Sequence, residues 1–177
     1  MGWFSPVKGS YPSLAQVDKT LPIAAGSAKI ERGTIVALAQ GDDPKSDGVF
    51  KVADATDTVL YVSLQDDTDP TAGFAGSAFD PKGGVPAITG IDLAQDGEYE
   101  TSVFAAGDYV VGDKLYVADG QLTKTGSGKV VGIVTRAPAT RWVNDAIAVP
   151  DQSNGKTDPR LALRTGARLS VLRFKTA

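Results

Sequence analysis

FAAGDYVVGDKLYVADGQLTKTGSGKVVGIVTRAP, running from Phe104 to Pro138, decides how this chain folds. Gly107-Asp108 and Gly112-Asp113 punctuate it, Asp119-Gly120 supplies a tight reversal, and 130–134 closes it with an apolar run. Short β-forming runs separated by Gly and Asp read as strands joined by turns. The spacing predicts strands at 109–111, 114–118, 121–124 and 130–134. No group suited to catalysis stands at the turns. This is the pattern of a small β-barrel or β-sandwich that offers a surface to something else.

The same pattern extends upstream. Thr34-Ile-Val-Ala-Leu38 follows the turn Arg32-Gly33, and 49–52 and 59–64 read as two further strands. The run 59–64 is apolar on both faces, as in a strand covered on both sides. Residues 86–93 and 98–104 are strands around Gln95-Asp-Gly97. In the second, Tyr99, Thr101 and Val103 alternate with Glu100 and Ser102. Downstream, 142–149 adds a strand in which Trp142 is expected to pack in the core. Gly33 with the strands after it resembles Gly112 with the strands after it: glycine, strand, reversal, strand, strand. Two readings fit the likeness: a weak internal duplication, or convergence on the same strand-and-turn pattern.

The expected fold is therefore all-β, a small β-barrel or β-sandwich with an extended N-terminal arm and a C-terminal strand. Residues 1–27 form the arm, 28–150 the β-domain, and 151–177 a linker with a basic strand. Pro6, Pro12 and Pro22 block helix and disfavour a central strand, because proline lacks the ladder N–H. The arm is nonetheless apolar, with Trp3, Phe4, Tyr11 and Leu14 as candidate partner anchors. Two readings fit it: folded back on its own domain, or gripping a neighbouring subunit. The connection 66–84 carries isolated Phe74 and Phe79, and a loop of that length is functional or ordered by a partner. The tail gathers Arg160, Arg164, Arg168, Arg173 and Lys175 against Asp158. It reads either as a docking strand for an acidic surface or as an edge strand guarded by charge.

Composition narrows the chemistry. The 177 residues suit one domain, and 42% hydrophobic content suffices for a core. A net charge of −3 with a pI near 4.9 argues against non-specific nucleic-acid or anionic-membrane binding. The absence of Cys and His removes disulfides, thiolate nucleophiles, imidazole bases and His- or Cys-ligated metals. No run approaches the roughly 20 apolar residues of a membrane span. The first residues lack the profile of a signal peptide, and Pro6 stands where a myristoylation signal has Ser or Thr.

Four further patterns reduce to turn chemistry or chance. Ser5-Pro-Val-Lys8 and Lys124-Thr-Gly126 match fragments of the serine β-lactamase signature, but the S-D-N element is missing. Gly126-Ser-Gly128-Lys129 lacks the first glycine of a phosphate loop, with Thr123 there instead, and Val130 replaces its Ser or Thr. The acidic groups at Asp42-Asp43-Asp47, Asp54-Asp57 and Asp66-Asp67-Asp69 lack a helix-loop-helix calcium site's terminal Glu, and Asp is favoured in β-turns anyway. Glu98 and Glu100 lie two apart on one strand, with no sign of a sugar cleft. The expectation is a protein that is not an enzyme and needs no cofactor or metal.

Val111-Gly-Asp-Lys-Leu-Tyr-Val-Ala-Asp-Gly-Gln-Leu-Thr-Lys124, followed by Val130-Val-Gly-Ile-Val-Thr135, resembles a pattern of tailed-phage capsid decoration (cement) proteins, and Gly33-Thr-Ile-Val-Ala-Leu38 resembles their early strand. The match spans about 28–149, and the insertion 66–84 departs from it. The resemblance implies a structural virion protein, made in the host cytoplasm, that binds the outside of an icosahedral head and stabilises it. It also implies the major capsid protein as partner, a homotrimer or homodimer at a symmetry axis, and neither nucleic acid nor membrane as ligand. Such proteins gain affinity through many symmetric contacts. Alternatives are another phage virion β-domain, such as a head fibre, tail or baseplate component, and a carbohydrate-binding β-module. The last would need several aromatics on one exposed face.

Overall fold

A computed structural model describes residues 2–7, 17–42, 47–64, 87–144 and 166–177. Among them the chain is all-β, with strands β1 (Phe4–Pro6), β2 (Val17–Pro22), β3 (Ile35–Ala39), β4 (Val49–Val52), β5 (Leu60–Ser63), β6 (Ala87–Asp92), β7 (Glu98–Thr101), β8 (Lys114–Ala118), β9 (Gln121–Thr123), β10 (Gly132–Asn144) and β11 (Gly166–Thr176). They build two antiparallel sheets, ordered β1-β7-β11-β10-β8-β9 and β2-β6-β5-β3-β4.

The two orders are one order used twice. Strands β2 to β6 run β2-β6-β5-β3-β4, and β7 to β11 run β7-β11-β10-β8-β9, with β1 added beside β7. The likeness reaches individual hydrogen bonds. Gly33 N–H donates to Ser63 O at 2.7 Å, and Gly112 N–H donates to Val134 O at 2.9 Å. Thr34 N–H reaches Glu31 O at 2.9 Å, and Asp113 N–H reaches Val110 O at 3.1 Å. Each turn is closed by a side chain: Glu31 N–H to Thr34 Oγ1 at 3.1 Å, and Val110 N–H to Asp113 Oδ2 at 2.9 Å. The glycines repeat in conformation, Gly33 (φ 89°) with Gly112 (φ 96°), and Gly48 (φ 97°) with Gly120 (φ 71°). These backbone angles disfavour any side chain. The isolated parallel bridges Ile23–Phe50 and Phe104–Leu122 also correspond.

The main core lies between the sheets. Ile35, Leu60, Val62 and Ile91 of the first unit meet Tyr99, Leu115, Leu122, Leu172 and Phe174 of the second, with Phe4 among them. A second cluster (Leu21, Ile30, Val36, Phe50, Tyr61, Ile88) covers the other face of the five-stranded sheet. Leu60 and Val62 face one cluster and Tyr61 the other, so β5 is buried on both sides, as its apolar run implied.

Several expectations need correcting. Of the two readings of the N-terminal segment, residues 4–6 and 17–22 follow the first, folded back on their own domain: β1 pairs with β7 and β2 with β6. Phe4 is fully buried and stacks on Tyr99 at 5.1 Å, because burying a large ring in its own core gains more than leaving it in water. β11 is not an edge strand, since it lies between β7 and β10. Residues 109–111 form no strand, because Val110 N–H is taken by the Asp113 carboxylate. The strands expected at 130–134 and 142–149 belong, as far as Asn144, to one strand through Pro138, which lies within irregular pairing between Arg136 and Ala139. Proline fits there because a bulge releases the need for its N–H. The loop 126–129 holds no helix start. A side chain at Gly128 would strike the backbone of Ala55, and Lys129 Nζ donates to Thr58 O at 3.3 Å, so the loop packs one unit against the other.

Candidate docking site on the six-stranded sheet

Strand register places Ser5, Glu100, Arg173 and Arg136 side by side across β1, β7, β11 and β10. One residue along, Tyr99, Phe174 and Val134 form the matching row on the core face. Alternation thus puts aromatic rings inside and charge outside on the same strands.

The outer row converges on Glu100, which is buried. Its Oε1 accepts from Arg136 Nη2 at 2.6 Å and from Arg173 Nε at 2.8 Å. Arg173 Nη2 is 2.7 Å from the same oxygen, and Arg141 Nη2 pairs with Oε2. The guanidiniums are themselves half-buried, with side-chain exposures of 37%, 32% and 27% for Arg136, Arg141 and Arg173. Burial lowers the pKa of Arg136 from its ordinary value, and the positive charges of Arg141 and Arg173 lower it further, against the pull of Glu100 and Glu98. Glu98 accepts from Thr135 Oγ1 at 2.7 Å. On the adjoining row Ile133 is an exposed apolar side chain opposite Lys175, also exposed.

The sequence-derived candidates divide as follows. Arg173 belongs to the cluster, and Arg168 is exposed further along β11. Trp3 is half-buried and tied down through its backbone, its N–H to Ser102 Oγ at 2.9 Å and its carbonyl accepting from Thr101 Oγ1 at 3.1 Å. Phe4 is a core residue and offers nothing to a partner. Tyr11, Leu14, Phe74, Phe79, Arg160 and Arg164 lie outside the described residues, as does the side chain of Trp142. Sequence reasoning missed Arg136 and Arg141 and weighed Glu100 only as half of a carboxylate pair. The available signal was the alternation of Glu100 with Tyr99, but its partners come from strands far away in sequence.

Among the described residues no group of three or more carboxylates is placed to hold a metal ion, and no helix is long and apolar enough to cross a membrane. Comparison with protein-family models, with curated proteins and with solved structures gives no match to this chain.

Proposed function

We propose that this chain is a structural virion protein that binds the outer surface of an icosahedral phage capsid, as a homotrimer or homodimer, and stabilises the head. The observation that carries the reading is the outer face of the six-stranded sheet, where three half-buried arginines lie near an exposed isoleucine. Arginine beside apolar surface is the composition of protein interfaces. The sequence likeness at 111–135 supplies the kind of partner. A carbohydrate-binding module fits less well: Phe4, Phe50, Tyr61, Tyr99, Tyr109 and Phe174 are all buried, which leaves few described aromatics for a sugar platform.

The test is co-sedimentation of purified protein with heads stripped of accessory proteins. Saturable binding at a fixed number of copies per capsomer, with heads that withstand higher temperature, is the expected result. Absence of binding under conditions where the protein is folded would sink the reading. Deleting residues 1–22 is not a clean variant, because it removes Phe4 and Leu21 from the two cores.

A further inference from the structure

We infer that the Arg136–Arg141–Arg173 cluster is a receptor for a carboxylate from a partner protein, with Glu100 holding the three guanidiniums in place until it arrives. This deepens the docking reading above and rests on it for the kind of partner, although the site can be tested by itself.

Donor and acceptor capacity are unequal here. Three guanidiniums carry about fifteen N–H donors, whereas one carboxylate offers about four lone-pair sites. Glu100 spends both oxygens on the cluster, and Arg136 Nε is buried with no hydrogen-bond partner among the described residues. The cluster is thus short of acceptors, and the part of the three side chains that reaches solvent is where a second oxyanion would supply them. Charge points the same way. Three arginines face Glu100 and the nearby Glu98, and exposed Lys175 lies opposite Glu98, so the face stays positive on an acidic chain.

The repeated fold supplies an internal control. Counting from the shared pairing with Ser63 and Val134, the Glu100–Arg173 pair of the second unit corresponds to Thr20–Thr89 of the first. There two hydroxyls meet at 2.8 Å, with no charge at all. The topology is therefore satisfied by a neutral pair, and burying ions merely to hold a sheet together is a poor source of stability. The charged cluster is an addition that the fold does not demand.

A protein carboxylate fits better than a nucleic-acid phosphate. Guanidinium forks match both, but nucleic acid needs a broad basic surface, and this chain carries a net charge of −3. Exposed Ile133, on the next outward-facing row, suits a mixed apolar and acidic protein patch, and exposed Val110 and Val111 sit in the turn bonded to β10 through Gly112 N–H and Val134 O.

The experiment titrates the full chain with two end-capped tetrapeptides, one all glutamate and one all glutamine, at equal ionic strength, following arginine Nε–Hε signals by NMR. The expected result is saturable shifts of Arg136, Arg141 and Arg173 with the glutamate peptide only. Arg141→Gln should weaken that binding about tenfold, the loss of one charge-assisted hydrogen bond. Arg173→Lys, which keeps the charge without the fork, should weaken it less. Equal response to both peptides, or shifts with inorganic phosphate but not with the glutamate peptide, would overturn the inference. The first comparison uses the unaltered protein, so misfolding of a variant does not blur it. Peptide binding without head binding would remove the capsid reading and leave the site; head binding without peptide discrimination would do the reverse.

Discussion

The two β-units share strand order, turns, glycine conformations and a parallel bridge, yet they part company at equivalent positions. The first unit carries Thr20–Thr89 where the second carries Glu100–Arg173, and Ile30 where the second has Tyr109. What is common specifies the fold, because it recurs in two different chemical settings. What differs has been added to one unit, and the largest addition is the arginine cluster. Equivalent substitutions in the two units therefore separate scaffold from surface.

The largest difference is expected at the charged pair. Glu100→Gln leaves three half-buried guanidiniums without their counter-charge. Breaking a fully buried pair costs about 3–5 kcal/mol. With roughly a third of each guanidinium exposed to solvent, about 2–3 kcal/mol is expected here. Thr20→Ala removes one hydroxyl pair at the exposed counterpart and should cost under about 1 kcal/mol. Urea midpoints measured at one pH give both values. Equal losses would mean that the cluster is ordinary sheet packing.

Next come the turn glycines. Both have positive φ, so alanine is strained at either, by about 1–2 kcal/mol. Their surroundings differ. A Cβ at Gly33 would meet Val103 Cγ2 at 3.0 Å and Trp3 O at 3.1 Å, whereas none of the surrounding atoms lies within 4 Å of one at Gly112. Gly33→Ala should therefore lose about 1–3 kcal/mol more than Gly112→Ala, the usual cost of overpacking. Thermal melts of the two variants check this, and equal losses would show that turn strain alone governs both sites.

Much of this fold was legible because turn chemistry is local. Gly33, Gly112 and Asp119-Gly120 mark their reversals by residue type, and the likeness between the two units was visible at the first two. β2 was hidden by its proline-rich surroundings, and it becomes a strand only because β6 supplies a partner. β10 was hidden by Pro138, which a bulge accommodates. The cluster was least legible of all. Glu100, Arg136, Arg141 and Arg173 come from three strands, and only long-range register brings them together. Read singly, each is an ordinary charge on an alternating strand.

The smallest effect should come from Tyr109, which sits at the turn position held by Ile30 in the first unit. Both side chains are buried, but the tyrosine adds a hydroxyl, and that hydroxyl donates to Ala105 O at 2.8 Å. Burial raises its pKa above 10.0, with Asp113 adding to the rise and a backbone hydrogen bond from Lys124 opposing it. A raised pKa means that the folded chain holds this proton more tightly than the unfolded one. The contribution of Tyr109 is therefore complete below pH 10 and drains away as pH climbs through the raised value. Tyr109→Phe should cost about 1 kcal/mol near neutral pH, through the lost hydrogen bond. The gap in stability between the two proteins should then narrow above pH 10, because phenylalanine has nothing to ionise. Denaturation midpoints from pH 7 to 11 would show it. A gap that stays constant across that range would mean that the hydroxyl's proton is not held more tightly in the folded chain, and no gap at any pH would mean that Tyr109 serves, like Ile30, through packing alone.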